Sequence, residues 1–257
     1  MEALEIFQRY ELKYLIPYDV YEQVTEQLQK RMKFDPYGDE NGCYNIVSLY
    51  FDSKDDKIYN ETRNNLNFRQ KLRLRVYGES DLNSTSFLEI KQKYNRVVNK
   101  RRTLITLSDA YDFFYNNAKN EANYNVSNRQ ILGEVNAFSS LYELEPSVVV
   151  SYDRQALAGI DEPDLRVTFD FNLMTRNDNL SIEDGPDGNL FVDQNMVIME
   201  VKVSNSVPYW LSRMLSDYEC ERKSVSKFCT CIDMANGLIK PYQPINPQVA
   251  SAAGSGF

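Results

Sequence analysis

The sequence predicts an α+β fold in which an eight-stranded antiparallel β-barrel closes around a tunnel. Helices are expected to pack outside the barrel, and a C-terminal helix is expected near one tunnel end. Eight segments alternate apolar and polar residues with the period of two that strands impose, and at least five carry ionised residues on one face. Helical patterns lie mainly between these strands and after the last one. Because large antiparallel sheets tend to close, eight strands favour a barrel with room for one small ligand.

The first strand shows the alternation clearly. Arg9, Glu11 and Lys13 fall on one face, apolar residues fall on the other, and Pro17 ends the strand. The eight predicted strands are residues 5–16, 45–53, 69–78, 86–95, 100–107, 146–154, 165–173 and 195–203. The polar insert that begins near Gly78 predicts a hairpin between the third and fourth strands.

Helices are predicted where apolar residues recur at helical spacing. In the first helix Asp19 stands at the start and basic residues stand at the end, an order that suits the helix dipole. The predicted helices are residues 19–33, a short helix at 54–64, 108–119 after a Ser108 cap, 127–143, one that begins near Ser206 and Pro208, and 226–238.

The length fits one large domain or two small ones. We expect a single domain over residues 1–240 and a disordered, low-complexity tail over 241–257. The sequence has no run of eighteen apolar residues and no secretory signal, so we expect a cytoplasmic protein. It also contains no histidine, which excludes histidine general bases and histidine-ligated zinc. The four cysteines show neither zinc-ligand spacing nor a disulfide framework. Any metal would therefore be a hard cation held by carboxylates and substrate oxygens.

Cations gather on the faces expected to point into the barrel, although the chain has a net charge of −8. The inward set is Arg9, Lys13, Arg69, Lys71, Arg73, Arg75, Lys91, Lys93, Arg154, Arg166 and Lys202, with Glu11, Glu89, Asp170 and Glu200 among them. A solvated outer face is the ordinary explanation for alternating strands. However, a solvated face should share the acidic bias of the other residues, and like charges on paired strands repel. The contrast favours an enclosed site for an anion.

Several short segments, in this order and spacing, resemble the triphosphate tunnel metalloenzyme (CYTH-like) superfamily, and within it the VTC-type polyphosphate polymerase domain. The resemblance covers nearly all of residues 5–240. Its carriers are RYELKYLI, SLYFDS, KLRLRVYG, FLEIKQK, VSYDRQA, LRVTFDFNL, MEVK and SKF. The superfamily opens with Glu-x-Glu-x-Lys, whereas this chain has Arg9 in place of the first glutamate. That change removes one metal carboxylate and adds a cation.

The resemblance implies roles for individual residues. Glu200 would be the main metal ligand for Mn²⁺ or Mg²⁺, with Glu11 a second one. Arg73, Arg75 and Lys91 would act with Glu200 at the transferring phosphoryl group. The expected binding residues for triphosphate and the growing chain also include Arg9, Lys13, Arg154, Arg166, Lys202 and Lys227. The family's second lysine near Lys227 is not cleanly matched, because Lys223 and Ser224 stand there.

The implied activity is an ATP-dependent polyphosphate polymerase, in which a chain terminus attacks the γ-phosphorus and ADP leaves. An anionic phosphate oxygen needs no general base, which agrees with the missing histidine. A triphosphatase or polyphosphatase of the same fold and a non-catalytic polyphosphate-binding module remain alternatives. The expected partners are ATP and inorganic polyphosphate or triphosphate, not nucleic acid, since no stacking platform accompanies the cations. Any membrane channel would be a separate protein.

Overall fold

The computed structural model describes residues 6–95, 97–115, 121–223 and 225–242, with the side chains of the first strand described from Tyr10 onward. This part of the chain contains ten strands and six α-helices. The strands are β1 (Ile6–Pro17), β2 (Met32–Phe34), β3 (Cys43–Asp52), β4 (Phe68–Tyr77), β5 (Thr85–Tyr94), β6 (Val97–Thr106), β7 (Glu145–Gly159), β8 (Arg166–Arg176), β9 (Asn189–Leu190) and β10 (Met196–Val203). The helices are α1 (Tyr18–Leu28), α2 (Lys57–Arg63), α3 (Leu107–Tyr115), α4 (Arg129–Tyr142), α5 (Tyr209–Asp217) and α6 (Lys227–Ala235).

All ten strands belong to one antiparallel sheet in the order β2-β7-β3-β4-β5-β6-β1-β10-β8-β9. The prediction of an eight-stranded closed barrel is corrected in its strand number, because the described sheet has ten strands and its end strands β2 and β9 do not pair with each other. Instead, β7 and β8, the second and ninth strands of that order, pair over Val149–Ala158 and Arg166–Arg176. This additional pairing bends the sheet round so that its charged faces look toward a common interior.

Apolar strand faces point outward, beneath the helices. Leu72, Leu74 and Val76 of β4 are fully buried, in one cluster with Leu132 and Val135 of α4. The residues between them on β4 lie on the opposite face, because side chains of a strand alternate. A second apolar cluster joins α1 and α5 to the outer faces of β1, β8 and β10. The hydrophobic core therefore surrounds the sheet, and the polar faces are left to line its interior.

The two strands missing from the sequence-based prediction are the shortest. β2 has three residues and β9 has two, so neither contains a readable alternation. β2 exists because it pairs with the end of β7, where Met32 lies opposite Gly159. The helix predicted over residues 19–33 was too long for the same reason, since α1 ends at Leu28 and the next residues turn into β2.

The predicted single domain over residues 1–240 stays a prediction, as does the disordered tail over 241–257, most of which lies outside the described residues. Tyr242 is described, and its backbone N–H donates to the carbonyl of Phe191. Among the described residues, no helix combines the length and apolar character needed to cross a bilayer.

Candidate functional site

A cavity of about 1310 Å³ lies inside the sheet. Its described lining includes sixteen of the 29 lysines and arginines but only three of the 37 acidic residues, so a molecule with net charge −8 contains a strongly cationic interior. Ten of the eleven predicted site residues line it: Glu11, Lys13, Arg73, Arg75, Lys91, Arg154, Arg166, Glu200, Lys202 and Lys227. The eleventh is Arg9, whose side chain lies outside the described residues, although its backbone pairs with Val98.

Arg73 and Arg75 on β4 share a buried carboxylate. Glu89 Oε2 of β5 accepts from Arg73 Nε at 2.5 Å and lies 4.0 Å from Arg75 Nη1, and Lys100 also contacts Glu89. Burial alone would raise the pKa of Glu89, but the charges of Arg73 and Lys100 outweigh it and hold that pKa well below its usual range. The side chain of Glu89 is 0% exposed. It acts as a fixed counter-ion behind the cavity wall.

Three lysines face one another across neighbouring strands. Lys91 of β5 is directly opposite Lys71 of β4 on one side and Lys100 of β6 on the other. Burial, the largest effect, lowers the pKa of Lys71 to about 8, and its Nζ donates to Ser226 Oγ at 2.9 Å. Directly opposed like charges destabilise a sheet. A row of this kind is explained more readily by an anionic ligand than by stability.

Two carboxylates on β1 and β10 lie among lysines. Glu200 contacts Lys13 and Lys202, each at 2.8 Å, and Glu11 accepts from Lys91 at 2.7 Å. Burial would raise the pKa of Glu200, yet Lys13 and Lys202 keep it well below its ordinary value. The same balance, with Lys91 as the main opposing charge, lowers the pKa of Glu11 to about 2. Both carboxylates are therefore ionised at neutral pH.

The helix α6 brings a lysine into this group. Ser226 caps the helix by accepting from the backbone N–H of Cys229 at 3.3 Å, which places Lys227 in the first turn. Lys227 Nζ lies 2.6 Å from Asp170 and 3.6 Å from Glu200. Asp170 is fully buried and also accepts two hydrogen bonds from Arg154, at 2.6 and 2.8 Å. Although burial opposes ionisation, Arg154 and Lys227 lower the pKa of Asp170 to about 2.

Arg166 lies where Asp35 and Tyr44 meet. Its Nη2 contacts Asp35 Oδ2 and donates to Tyr44 Oη at 3.2 Å. Asp35 follows β2, whose short pairing with β7 could not be predicted, so this partner could not be predicted either.

Five of the lining cations make no ion pair with a carboxylate of the residues that the structure describes: Arg69, Lys71, Lys93, Arg222 and Lys223. Arg69 and Lys93 are directly opposite each other on β4 and β5. Arg222 and Lys223 lie shortly before α6, where the backbone N–H of Lys223 donates to the carbonyl of Lys13. These cations leave positive charge in the cavity that no described carboxylate compensates.

Some lining residues were not predicted. Lys100 and Arg102 line the cavity, whereas Arg101 between them pairs with Glu134 of α4 on the outer face. The alternation that places Lys100 and Arg102 on the inner face was therefore present in the sequence. Tyr50 and Tyr152 were also missed. Their apolar rings gave no reason to place them beside arginines rather than in the core.

The cavity residues fit a divalent cation that is shared with phosphate oxygens. Glu11 lies opposite Lys202 and Glu200 opposite Lys13, so the two carboxylates are diagonal neighbours on paired strands. Each Mg²⁺-like ion usually takes one or two protein carboxylates and completes its shell with phosphates and water. Among the described residues, no cluster of three or more acidic or sulfur side chains could hold a metal alone. A metal here would depend on the substrate.

One of three comparisons with known proteins identifies a family. The chain matches the VTC domain over residues 8–236. No curated protein matches it significantly. Among solved structures it is similar to HpAC1 from Hippeastrum, named as an adenylyl cyclase and described as having a dominant triphosphatase activity (13% identity, 99% of this chain and 98% of that chain covered, TM-score 0.46). It is also similar to the PH1819 protein from Pyrococcus horikoshii OT3 (10% identity, 89% and 99% covered, TM-score 0.45).

These structural likenesses are too loose to indicate what the chain does. The domain match, in contrast, spans most of the sequence. The chain therefore belongs to the VTC domain family.

Proposed function

We propose that this protein is a polyphosphate polymerase that transfers the γ-phosphate of ATP to a growing inorganic polyphosphate chain inside the cavity. The line of cations along β4 is the observation that carries this proposal. Arg69 and Arg75 both line the cavity, and they are six positions apart on the strand, which is about 20 Å. That length exceeds one triphosphate. A site for ATP alone would not need cations over the whole line, whereas a chain would contact all of them.

The residues supply electrostatic positioning, which is most of what phosphoryl transfer requires. Arg73, Arg75 and Lys91 would hold the transferring phosphoryl group and stabilise its oxygens. Lys13, Arg154, Arg166, Lys202 and Lys227 would bind the remaining phosphates, as Arg9 would if its side chain also faces inward. A terminal phosphate oxygen of the chain forms the new bond to the γ-phosphorus. The bond from that phosphorus to the β,γ-bridging oxygen breaks, and ADP carries the electron pair away.

The residues that would hold Mn²⁺ or Mg²⁺ are Glu200 and Glu11, together with substrate oxygens. When bound, such a cation neutralises phosphate charge and polarises the oxygens it touches. In the structure, lysines neutralise these carboxylates. Lys13 and Lys91 would therefore exchange a carboxylate for a phosphate when ATP binds, so the site needs little reorganisation to keep each charge paired.

The test is a reaction of purified protein with ATP and Mn²⁺ or Mg²⁺, with and without a polyphosphate primer. We expect ADP and long chains that are resolved on a gel. Orthophosphate release from tripolyphosphate without chain growth would establish the hydrolase instead. Binding without turnover of either substrate would establish a non-catalytic polyphosphate-binding module.

The partners that follow are ATP and polyphosphate, with no nucleic acid. A separate membrane protein that takes up the product, and the cytoplasmic location, stay predictions from the sequence.

A further inference from the structure

Three arginines of the cavity each donate a hydrogen bond to the phenol oxygen of a described tyrosine. The three pairs are Arg73 with Tyr50 at 3.1 Å, Arg75 with Tyr152 at 3.0 Å, and Arg166 with Tyr44 at 3.2 Å. A carboxylate that orients a guanidinium also cancels its charge. A neutral phenol adds a fixed hydrogen bond without cancelling further charge. Arg73 shares the single carboxylate of Glu89 with Arg75 and Lys100, so this group keeps a net positive charge for an anion.

The pair of Arg73 and Tyr50 is the most completely defined. Arg73 donates from Nε to Glu89 and from Nη1 to Tyr50, so two of its nitrogens are fixed. Within the described part of the chain, Nη2 has no hydrogen-bond partner. Tyr50 is 6% exposed, and its ring stacks on that of Phe228 of α6 with centroids 5.3 Å apart. Because the ring is held by this packing, its oxygen provides a rigid acceptor.

We infer that Tyr50 is a positioning residue, which fixes the Arg73 guanidinium so that Nη2 is presented to a phosphate oxygen of the substrate. This inference rests on the proposed function, since it assumes that linked phosphates occupy the cavity. Tyr50 would act through Arg73, which it contacts, and not on the reacting atoms themselves. Its effect should therefore be on how tightly the phosphates bind.

The surroundings of Tyr50 give the inference a second readout. The charged and titratable groups near it, directly or through Arg73 and Arg75, are Lys71, Arg73 and Arg75 of β4, Glu89 of β5, Tyr152 of β7 and Lys227 of α6. Burial would raise the pKa of Tyr50, but the charges of Arg73 and Arg75 outweigh it and lower that pKa to about 8. A polyanion that occupies the same cations should return the phenol pKa toward its ordinary value.

The first experiment compares Tyr50→Phe with wild type in calorimetric binding of inorganic tripolyphosphate without metal. This substitution keeps the ring and removes only the oxygen. We expect binding about tenfold weaker, because a hydrogen bond to a charged group is lost. The matched control is Tyr124→Phe, which removes a buried phenol that donates to Asp112 at 2.8 Å away from the cavity. The control should bind like wild type.

The second experiment needs no variant to fold. The near-ultraviolet absorbance of phenolate is followed in a pH titration of the wild-type protein. We expect a component with a midpoint near 8 that tripolyphosphate shifts upward. Tyr50→Phe binding within about twofold of wild type, or a phenolate titration that ligand leaves unchanged, would overturn the inference. A wild-type protein that does not bind tripolyphosphate at all would instead show that the proposed function is wrong.

Discussion

Glu200 is one carboxylate that faces three ammonium groups. Lys13 and Lys202 lie at 2.8 Å and Lys227 at 3.6 Å, so the local charge remains positive even though every oxygen is paired. If Glu200 served only to neutralise these lysines, removing its charge would free them for an anion. If it also holds a divalent cation, removing its charge would abolish turnover. The neutralising role therefore predicts tighter anion binding when the charge of Glu200 is removed, and the metal-holding role predicts a loss of turnover.

We predict that Glu200→Gln lowers ATP-dependent turnover by about a hundredfold or more, because a metal ligand is lost. Metal-free binding of tripolyphosphate should be unchanged or tighter, because the substitution removes a negative charge from a site for anions. Turnover and calorimetric binding are measured on the same preparation. Glu134→Gln is the matched control, since Glu134 pairs with Arg101 on the outer face. Turnover of Glu200→Gln at the control's level would remove the metal role.

At the scale of elements, the short helix α2 is connected to the site through α6. Tyr59 of α2 donates to Asp233 of α6 at 2.6 Å, and Arg63 lies 3.0 Å from the same carboxylate. The other end of α6 presents Lys227 to the cavity. The start of α2 is held by Asp52, whose carboxylate accepts from the backbone N–H groups of Ser53, Ile58 and Tyr59 at 2.8 to 3.0 Å.

We predict that Asp52→Asn destabilises the protein by about 1–2 kcal/mol, because a charged acceptor of several backbone N–H groups is replaced by a neutral one. Urea unfolding gives the free energy of unfolding. The control is Asp56→Asn, since Asp56 makes no side-chain cap hydrogen bond and has φ of 54°, which asparagine tolerates. Equal unfolding free energies for the two variants would show that Asp52 does not stabilise the helix start.

The strand faces that form the site could be predicted from local alternation alone. Arg73 and Arg75 were placed correctly because period two fixes a face without knowledge of the neighbours. The position of the carboxylates relative to the cavity was harder to predict. Glu89 and Glu200 look alike in sequence, each an acid among cations on a strand, yet only Glu200 reaches the cavity. That difference depends on depth inside the folded sheet, which no local pattern records.

For the molecule as a whole, charge is segregated between an acidic exterior and a cationic interior. The carboxylates inside the sheet reduce the repulsion between the interior cations, because each of them contacts at least one lysine or arginine. Removing charge from these carboxylates leaves buried cations without compensation, which costs several kcal/mol in buried pairs. The fold should therefore depend on their ionisation.

We predict that the free energy of unfolding falls as pH is lowered from about 5 toward 2. Glu11 and Asp170 have folded pKa values of about 2, below the value near 4 expected in the unfolded chain. Their stabilisation is therefore complete above the unfolded pKa and is lost as pH falls through the folded pKa. Urea unfolding at several pH values measures this dependence.

The variant that tests it is Glu11→Gln, which removes one of the depressed carboxylates. Its acid dependence should be shallower by of order 2 kcal/mol over this range, because the variant no longer has a carboxyl group whose pKa is lower in the folded than in the unfolded chain. Glu134→Gln, on the outer face, should keep the wild-type slope. If wild type and Glu11→Gln lose stability in parallel, Glu11 is not held ionised by Lys91, and the interior carboxylates do not act as the counter-ions that keep the cationic interior stable.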